Sequence, residues 1–206
     1  MKLKDGRSGV ELISYASVNK NQIIDQYLGW MNNIEVVQYF GSLNLLFPKK
    51  KSFIEESFRR FTTDETIGFF IYDKTENQFV GTCKLGNTCL INRSAEIGVM
   101  IGETNVHGQG IGRKTTKILM DYAFQTLGLH RVWTTVYSNN RGAQKVMEKL
   151  GLSLEGRLRE SVFKKGEYID QLRYGILNKE YNPNNNTNTH AKKNITKISE
   201  FHNAPA

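Results

Sequence analysis

The stretch of sequence that decides the fold reads His107-Gly108-Gln109-Gly110-Ile111-Gly112. An apolar, strand-like run over residues 95–101 precedes it, and a long amphipathic helical pattern over residues 113–127 follows it. A glycine-rich turn that opens a helix lets backbone N–H groups approach a phosphate, and the helix dipole favours the negative charge. The stretch therefore indicates either a phosphate site or a plain connection between a strand and a helix.

Two common nucleotide-binding motifs do not fit this stretch. A P-loop ends in Gly-Lys-Ser/Thr, whereas Gly112 is followed by Arg113 and Lys114. The Rossmann motif has its glycines at positions one, three and six, whereas these glycines occupy positions two, four and six. Neither motif explains the loop.

Hydrophobic periodicity predicts the elements on both sides of the loop. Before it, we expect a strand over residues 10–17, helices over 23–31 and 53–61, and strands over 67–72, 78–85 and 95–101, with a turn at Gly86-Asn87 between the last two. After it, we expect a strand over 131–137, a short helix capped by Asn139 or Asn140 and closed by Gly151, and strands over 154–163 and 168–177 joined at Lys164-Lys165-Gly166.

This order predicts a mixed α/β fold with a central mixed sheet of about six or seven strands, flanked by about four helices. The strand–helix–strand unit around the glycine loop should be parallel and right-handed. Ligands of such sheets bind beyond the carboxyl ends of the strands, where this loop lies. We expect one domain over residues 1–181 and a disordered, Asn- and Thr-rich polar tail over residues 182–206.

Composition narrows the classes of function. The chain has 206 residues and a formal net charge of +8, but its basic residues are scattered and their longest run is Lys49-Lys50-Lys51, so a nucleic-acid partner is not favoured. No signal peptide or apolar span is visible, and we expect a cytoplasmic protein without a membrane partner. The two cysteines, Cys83 and Cys89, are expected to be reduced, and no Cys/His cluster indicates a metal.

Besides the loop, the sequence contains several short motifs whose order and spacing along the chain are typical of one protein family. In the loop, His107, Gly110 and Gly112 occupy the positions of Arg/Gln-x-x-Gly-x-Gly/Ala, with His107 as a departure. The other motifs are Asn140-Arg141-Gly142-Ala143, Met147-Glu148-Lys149-Leu150-Gly151-Leu152, Glu155-Gly156-Arg157-Leu158-Arg159, Gly166-Glu167-Tyr168-Ile169-Asp170, and, near the start, Tyr27-Leu28-Gly29-Trp30-Met31-Asn32-Asn33 with Glu35-Val36-Val37. Over residues 10–177 the chain resembles the GCN5-related N-acetyltransferases (GNAT), in the branch of ribosomal-protein-alanine and spermidine acetyltransferases.

The resemblance implies acetyl-CoA as the acetyl donor. The pyrophosphate would lie on the amides of the loop at the helix N-terminus, and the pantetheine arm would pair with the strand before it, in a gap where that strand separates from the next. Arg113 and Lys114 could add charge at the phosphates. Asn140 would contact the pantetheine side, although a helix cap explains an Asn there equally well. The implied binding residues are Met100, Ile101, Gly102, His107, Gly108, Gln109, Gly110, Ile111, Gly112, Arg113 and Asn140.

The transfer needs a neutral amine, a proton acceptor and stabilisation of the oxyanion. An amine of pKa ~8–10 is mostly protonated at neutral pH, so a carboxylate or a water chain must accept a proton. Strand alternation places Glu96 with Gly98 and Met100 on one face. Since the family often uses a Glu on this strand, Glu96 is the first candidate base, with an ordinary exposed strand residue as the alternative. Glu160 and Asp170 are further candidates.

The tyrosine with which many relatives protonate the leaving thiolate falls at Met147 here. Methionine cannot donate a proton, and its spacing with Val146 and Leu150 indicates packing. Ser138, Tyr137 or water is then the expected acid.

The predicted function is therefore transfer of an acetyl group to a primary amine by direct attack on the thioester. The acceptor class stays open among a small-molecule amine, an amino sugar and a protein N-terminal amine. Aromatic residues of the N-terminal third, Trp30, Tyr39, Phe40 and Phe47, could line its pocket or pack in the core. The alternative is a non-catalytic module that binds acyl-CoA or a partner. A homodimer is also expected.

Overall fold

A nine-stranded sheet is the frame of the computed structural model, which describes residues 1–6, 8–40, 47–63 and 65–183. Its spatial order is β1-β2-β4-β5-β6-β7-β9-β8, with β3 paired to β4, and among the described strands only β6 and β7 pair in parallel. The strands are β1 (Lys2–Lys4), β2 (Val10–Ser14), β3 (Thr62–Thr63), β4 (Thr66–Asp73), β5 (Gln78–Cys89), β6 (Ser94–Ile101), β7 (Arg131–Tyr137), β8 (Ser153–Lys164) and β9 (Glu167–Leu177). The mixed sheet is confirmed. The expected strand number was too low because β1 and β3 are too short to show a period.

Five α-helices cover the sheet in the described residues. They are α1 (Lys20–Asn32), α2 (Ile34–Val37), α3 (Lys51–Arg60), α4 (Ile111–Asp121) and α5 (Arg141–Lys149). Strand alternation divides the core between the two faces: Phe70 and Met100 pack beneath α1–α3, whereas Phe69 and Ile97 pack beneath α4 and α5. The four-residue α2 is the helix that the sequence pattern missed.

The two parallel strands separate soon after they meet. Their register covers only Ser94–Glu96 of β6 against Arg131–Trp133 of β7. Beyond that point β6 continues beside β5 and β7 continues beside β9. An opening therefore begins at Ile97, in the middle of the sheet, which is the gap expected from the sequence.

The turn expected at Gly86-Asn87 was wrong. Asn87 has φ of +49° and lies in an irregularity within β5, after which pairing resumes between Cys89 and Ser94. The chain reverses at residues 90–93, because the left-handed residue makes a bulge rather than a hairpin turn. The first long strand also ends earlier than expected, at Ser14, since a short 3₁₀ helix takes Tyr15–Ser17.

The central helix is confirmed with revised limits. It begins at Ile111, two residues before the amphipathic pattern of residues 113–127, and a single π-helical turn, Tyr122–Thr126, continues it toward Gly128 at φ +61°. Its buried stripe includes Thr115, Ile118 and Leu119. The turn between β8 and β9 also lies where the sequence indicated, with Lys165 and Gly166 both at positive φ.

Three further expectations concern the cysteines, the C-terminal tail and membrane spans. Cys83 is buried and Cys89 half-buried, and both are free thiols. The predicted tail lies outside the described residues from position 184 onward. In the described ranges, no helix is long and apolar enough to cross a membrane.

Candidate functional site

A cavity of about 940 Å³ passes through the sheet at the opening between β6 and β7. Its lining includes residues of both sheet faces, which shows that it crosses the sheet plane. We call the part beneath α4 and α5 the loop compartment, lined by Ile97, Val99, Val136, Asn140 and, apart from Gln109, the loop of residues 106–113. We call the part beneath α1–α3 the helical compartment, lined by Tyr27, Tyr39, Phe40, Phe53, Arg60, Phe61, Lys84, Glu96, Gly98, Met100 and Tyr137.

The loop compartment presents a helix N-terminus without a side-chain cap. Gly108 and Gly110 have φ of +80° and +82°. Gly110 is the N-cap of α4, and no side chain at this position accepts a hydrogen bond from the first N–H groups of the helix. The first N–H groups of a helix have no partner within the helix. Apart from adjacent residues and the backbone of α4 itself, no atom lies within 4 Å of a Cβ built on Gly108, Gly110 or Gly112, so the space beside these glycines is open. The loop therefore fits a phosphate group.

Most of the predicted binding residues line this cavity. They are Met100, Ile101, His107, Gly108, Gly110, Ile111, Gly112, Arg113 and Asn140, whereas Gly102 and Gln109 do not contribute to the lining. Gln109 Nε2 donates instead to the Asn105 carbonyl at 3.0 Å. Asn140 caps α5, since its Oδ1 accepts from the Ala143 N–H at 3.1 Å. The helix-cap interpretation of Asn140 is thus confirmed, beside a cavity that Asn140 also lines.

The backbone N–H and carbonyl groups of successive β6 residues point alternately toward β5 and toward the opening. The Gly102 N–H donates to the Val80 carbonyl of β5 at 2.8 Å, so by alternation the backbone groups of Met100 also face β5. Those of Val99 and Ile101 face the opening instead, where His107 Nε2 lies 3.0 Å from the Ile101 carbonyl. Of the three strand residues named from the sequence, Ile101 presents its backbone to the gap, and Val99 joins it.

Glu96 lies where the two parallel strands begin to separate. It is opposite Trp133 in the last parallel pair, and it lines the helical compartment. Its Oε2 accepts from Asn87 Nδ2 at 2.6 Å, which orients the half-buried carboxylate. The bulge that displaced the expected turn is thus what brings Asn87 to Glu96.

The two alternative carboxylates lie elsewhere. Neither Glu160 nor Asp170 lines the cavity. Asp170 accepts the Glu160 N–H at 2.7 Å and pairs with Arg157, and these contacts lower the pKa of the Asp170 carboxyl. Both residues belong to the β8–β9 hairpin.

Of the two expected proton donors, only Tyr137 lines the cavity. Tyr137 is 7% exposed, and burial raises the pKa of its phenol, so it stays protonated at neutral pH. The Lys164 ammonium lies 4.9 Å from the centroid of the Tyr137 ring and donates to the Gln38 carbonyl; burial lowers the pKa of Lys164. Met147 packs in the core at the edge of the loop compartment, as its spacing indicated.

The aromatic residues proposed for an acceptor pocket divide into three groups. Tyr39 and Phe40 line the helical compartment, Trp30 is in the core, and Phe47 is exposed. Trp30 Nε1 donates to Glu103 Oε1 at 2.8 Å, which attaches α1 to the end of β6.

Sequence reasoning missed Lys84, which lines the helical compartment beside Glu96. The alternation of β5 would have placed it on that face, but only the strand register brings it next to Glu96. Among the described residues, no group of His, Cys, Asp and Glu side chains is arranged to hold a metal ion.

Comparison with known proteins agrees with this geometry. Residues 21–153 match the family model described as an acetyltransferase (GNAT) domain. Spermidine N(1)-acetyltransferase of Escherichia coli is 32% identical over 119 residues, which cover 54% of this chain and 63% of that enzyme, less than two thirds of its length. The corresponding enzyme of Vibrio cholerae is 30% identical over 128 residues, covering 62% of this chain and 73% of the relative.

A solved structure extends the likeness to the whole fold. The crystal structure of spermidine N-acetyltransferase from Vibrio cholerae, in complex with CoA and spermine, superposes with a TM-score of 0.73 at 25% identity, covering 85% of this chain and 99% of that one. A GCN5-related N-acetyltransferase from Brucella melitensis superposes with a TM-score of 0.69 at 18% identity and shares the fold.

Proposed function

This chain belongs to the GNAT acetyltransferase family, and from that premise we propose that it is an acetyl-CoA-dependent N-acetyltransferase acting on a primary amine. One observation carries the proposal. A single cavity joins an uncapped, glycine-rich helix N-terminus on one face of the sheet to an oriented carboxylate, Glu96, on the other. Donor and acceptor can therefore meet in the opening between β6 and β7.

The loop compartment supports the donor side of this proposal. The amides of residues 108–113 would bind the pyrophosphate, with the Arg113 guanidinium adding positive charge. The Val99 carbonyl and the Ile101 N–H would pair with the amides of the pantetheine arm. Bound in this way, acetyl-CoA supplies an activated acyl group at the opening of the sheet.

Glu96 and Tyr137 support the chemical step. Glu96 would accept a proton, directly or through water, from the amine that attacks the thioester carbonyl. A backbone N–H of β6 that faces the opening, such as that of Val99, would stabilise the oxygen as negative charge develops on it. As the carbon–sulfur bond breaks, the Tyr137 hydroxyl would protonate the thiolate, and the amide product and CoA would leave.

Replacing Glu96 tests the proposed base. We expect Glu96→Gln to lower kcat by about 10²- to 10⁴-fold, the usual contribution of general base catalysis. Binding of acetyl-CoA should be unchanged, since its proposed contacts lie on the other face. The measurement is thiol release with an amine panel, beside the thermal shift given by acetyl-CoA. Glu167→Gln, at the exposed start of β9, is the matched control.

A second candidate function rests on Met147. Methionine stands where many relatives carry a tyrosine, which favours a module that binds acyl-CoA without catalysis. A thermal shift with acetyl-CoA, combined with no thiol release for any amine, would support it over the enzyme. The acceptor class, the cytoplasmic location and the homodimer stay predictions.

A further inference from the structure

Lys84 is surrounded by glycines on the face of the sheet that lines the helical compartment. Its register partners on the neighbouring strands are Gly68 and Gly98, and Gly86 follows two residues later on the same face. The lysine side chain fills the space above two of these glycines. Its Cε lies 3.1 Å from a Cβ built on Gly98, and its Nζ lies 3.4 Å from one built on Gly86.

The ammonium of Lys84 is thereby directed toward Glu96. Gly86 is the register partner of Glu96, and directly opposite Cβ positions in an antiparallel pair are roughly 5 Å apart. In the described ranges, no ion pair or hydrogen bond engages this ammonium, which lies 5.6 Å from the centroid of the Phe61 ring. Lys84 and Glu96 are therefore opposite charges side by side in one compartment, without direct contact.

The surrounding charges add to the positive potential. Arg60 lines the compartment, and Lys164 reaches its edge at Tyr137 and Gln38. Apart from Glu96, Glu35 is the acidic residue of the described lining. Residues 41–46, between α2 and α3 in the sequence, contain no charged side chain.

We propose that the acceptor is an amine that carries a carboxylate a few bonds away, as in an amino acid. This rests on the proposed function. Lys84 binds the carboxylate, while Glu96, on the neighbouring strand, accepts the proton of the amine. Lys84 is thus a specificity-determining residue, and the spacing of the two side chains selects a compact zwitterion.

The same arrangement disfavours a polyamine. If one amine of a polyamine lies at Glu96, the other ammonium groups of the polyamine would have to lie close to Lys84, Arg60 or Lys164. Two like charges about 6 Å apart in a partly buried site weaken binding by about tenfold to a hundredfold. This chain and its relatives named for spermidine would then differ in acceptor within one fold.

The test compares kcat/KM for common amino acids, their carboxamides and spermidine by thiol release from acetyl-CoA. Wild-type protein should prefer an amino acid to its carboxamide by tenfold or more, with spermidine as the poorest acceptor. Lys84→Met should abolish that preference and Lys84→Arg should restore part of it. Lys179→Met, exposed in the short helix after β9, is the matched control.

The outcomes separate this inference from the proposed function. Unchanged thermal shifts with acetyl-CoA show that the Lys84 variants are folded and bind the donor. If spermidine or a carboxamide is acetylated as well as any amino acid, and Lys84→Met changes nothing, the inference is wrong and the acetyltransferase stands. If no amine supports thiol release, the proposed function falls as well.

Discussion

At the scale of single residues, the glycine loop depends on backbone conformation. Gly110 has φ of +82° with open space around it, so an added side chain meets strain rather than a clash. Gly112 lies inside α4, has equally open space and has no positive φ. A side chain added at Gly110 therefore tests the cost of the left-handed backbone, whereas one added at Gly112 tests the added volume alone.

We expect Gly110→Ala to destabilise the protein by about 1–2 kcal/mol, because a left-handed conformation costs that much for a residue with a Cβ. For a chain of this size the melting temperature falls by about 2–8 °C. Gly112→Ala should leave it unchanged or raise it, since Ala favours helix. Thermal unfolding without ligand measures both, and equal losses for the two variants would contradict the argument.

Tyr137 gives a second test at this scale. Tyr137→Phe keeps the ring against Lys164 and removes the proposed proton donor, so kcat should fall by about tenfold or more while the KM for acetyl-CoA is unchanged. Ser138→Ala is the control, because Ser138 does not line the cavity. Steady-state thiol release measures both variants. A larger fall in kcat for Ser138→Ala than for Tyr137→Phe would show that Ser138, and not Tyr137, is the proton donor.

Residue types with a strong local signature could be predicted from the sequence. The loop is recognisable from the spacing of its glycines, Asn140 from its position before a helix, and Glu96 from its position on a strand. Val99 and Lys84 have no such signature, because their proposed roles depend on which neighbour each strand pairs with. Register is a tertiary property, and no short window of sequence contains it.

At the scale of elements, Glu11 joins three segments at one edge of the sheet. Its side chain, 5% exposed, accepts from Lys2 of β1 and from Lys74, just after β4, the latter at 2.9 Å. The hydrogen bonds from these two lysines lower the pKa of the Glu11 carboxyl below its usual 4.5. The stabilising contribution is complete above pH 4.5 and is lost as the pH falls through the lowered pKa.

Replacing Glu11 should therefore change the acid dependence of stability. We expect Glu11→Gln to cost up to about 1 kcal/mol at pH 7, the upper range for ion pairs near the surface, because both lysine partners are more than half exposed. The variant should lose less stability than wild type as the pH falls below 4.5. Urea unfolding at several pH values measures this. Parallel pH profiles for the two proteins would contradict it.

Elements with a clear period were predicted well, and their ends less so. The strands around the loop and the β8–β9 hairpin follow from apolar alternation and turn residues. The turn at Gly86-Asn87 was wrong because a left-handed Asn serves a bulge as readily as a hairpin. The two-residue β3 exists only because β4 is beside it.

At the scale of the whole molecule, the division of the cavity by the sheet organises the account. In the proposed function, the loop compartment binds the donor and the helical compartment binds the acceptor, and the two compartments join where β6 and β7 separate. The net charge of +8 suits both a phosphate-bearing donor and an acidic acceptor. The resemblance carried by the motifs implied the opening, but the sequence did not predict the charges that lie close together in the helical compartment.

The most direct test of this account is to follow the acetyl group itself. Purified protein is incubated with radiolabelled acetyl-CoA and a mixture of amines and amino acids, and thiol release is recorded in parallel. We expect label in a newly formed amide, with one thiol released for each acetyl group transferred. Acetyl-CoA that is neither bound nor consumed in the presence of any acceptor would contradict it.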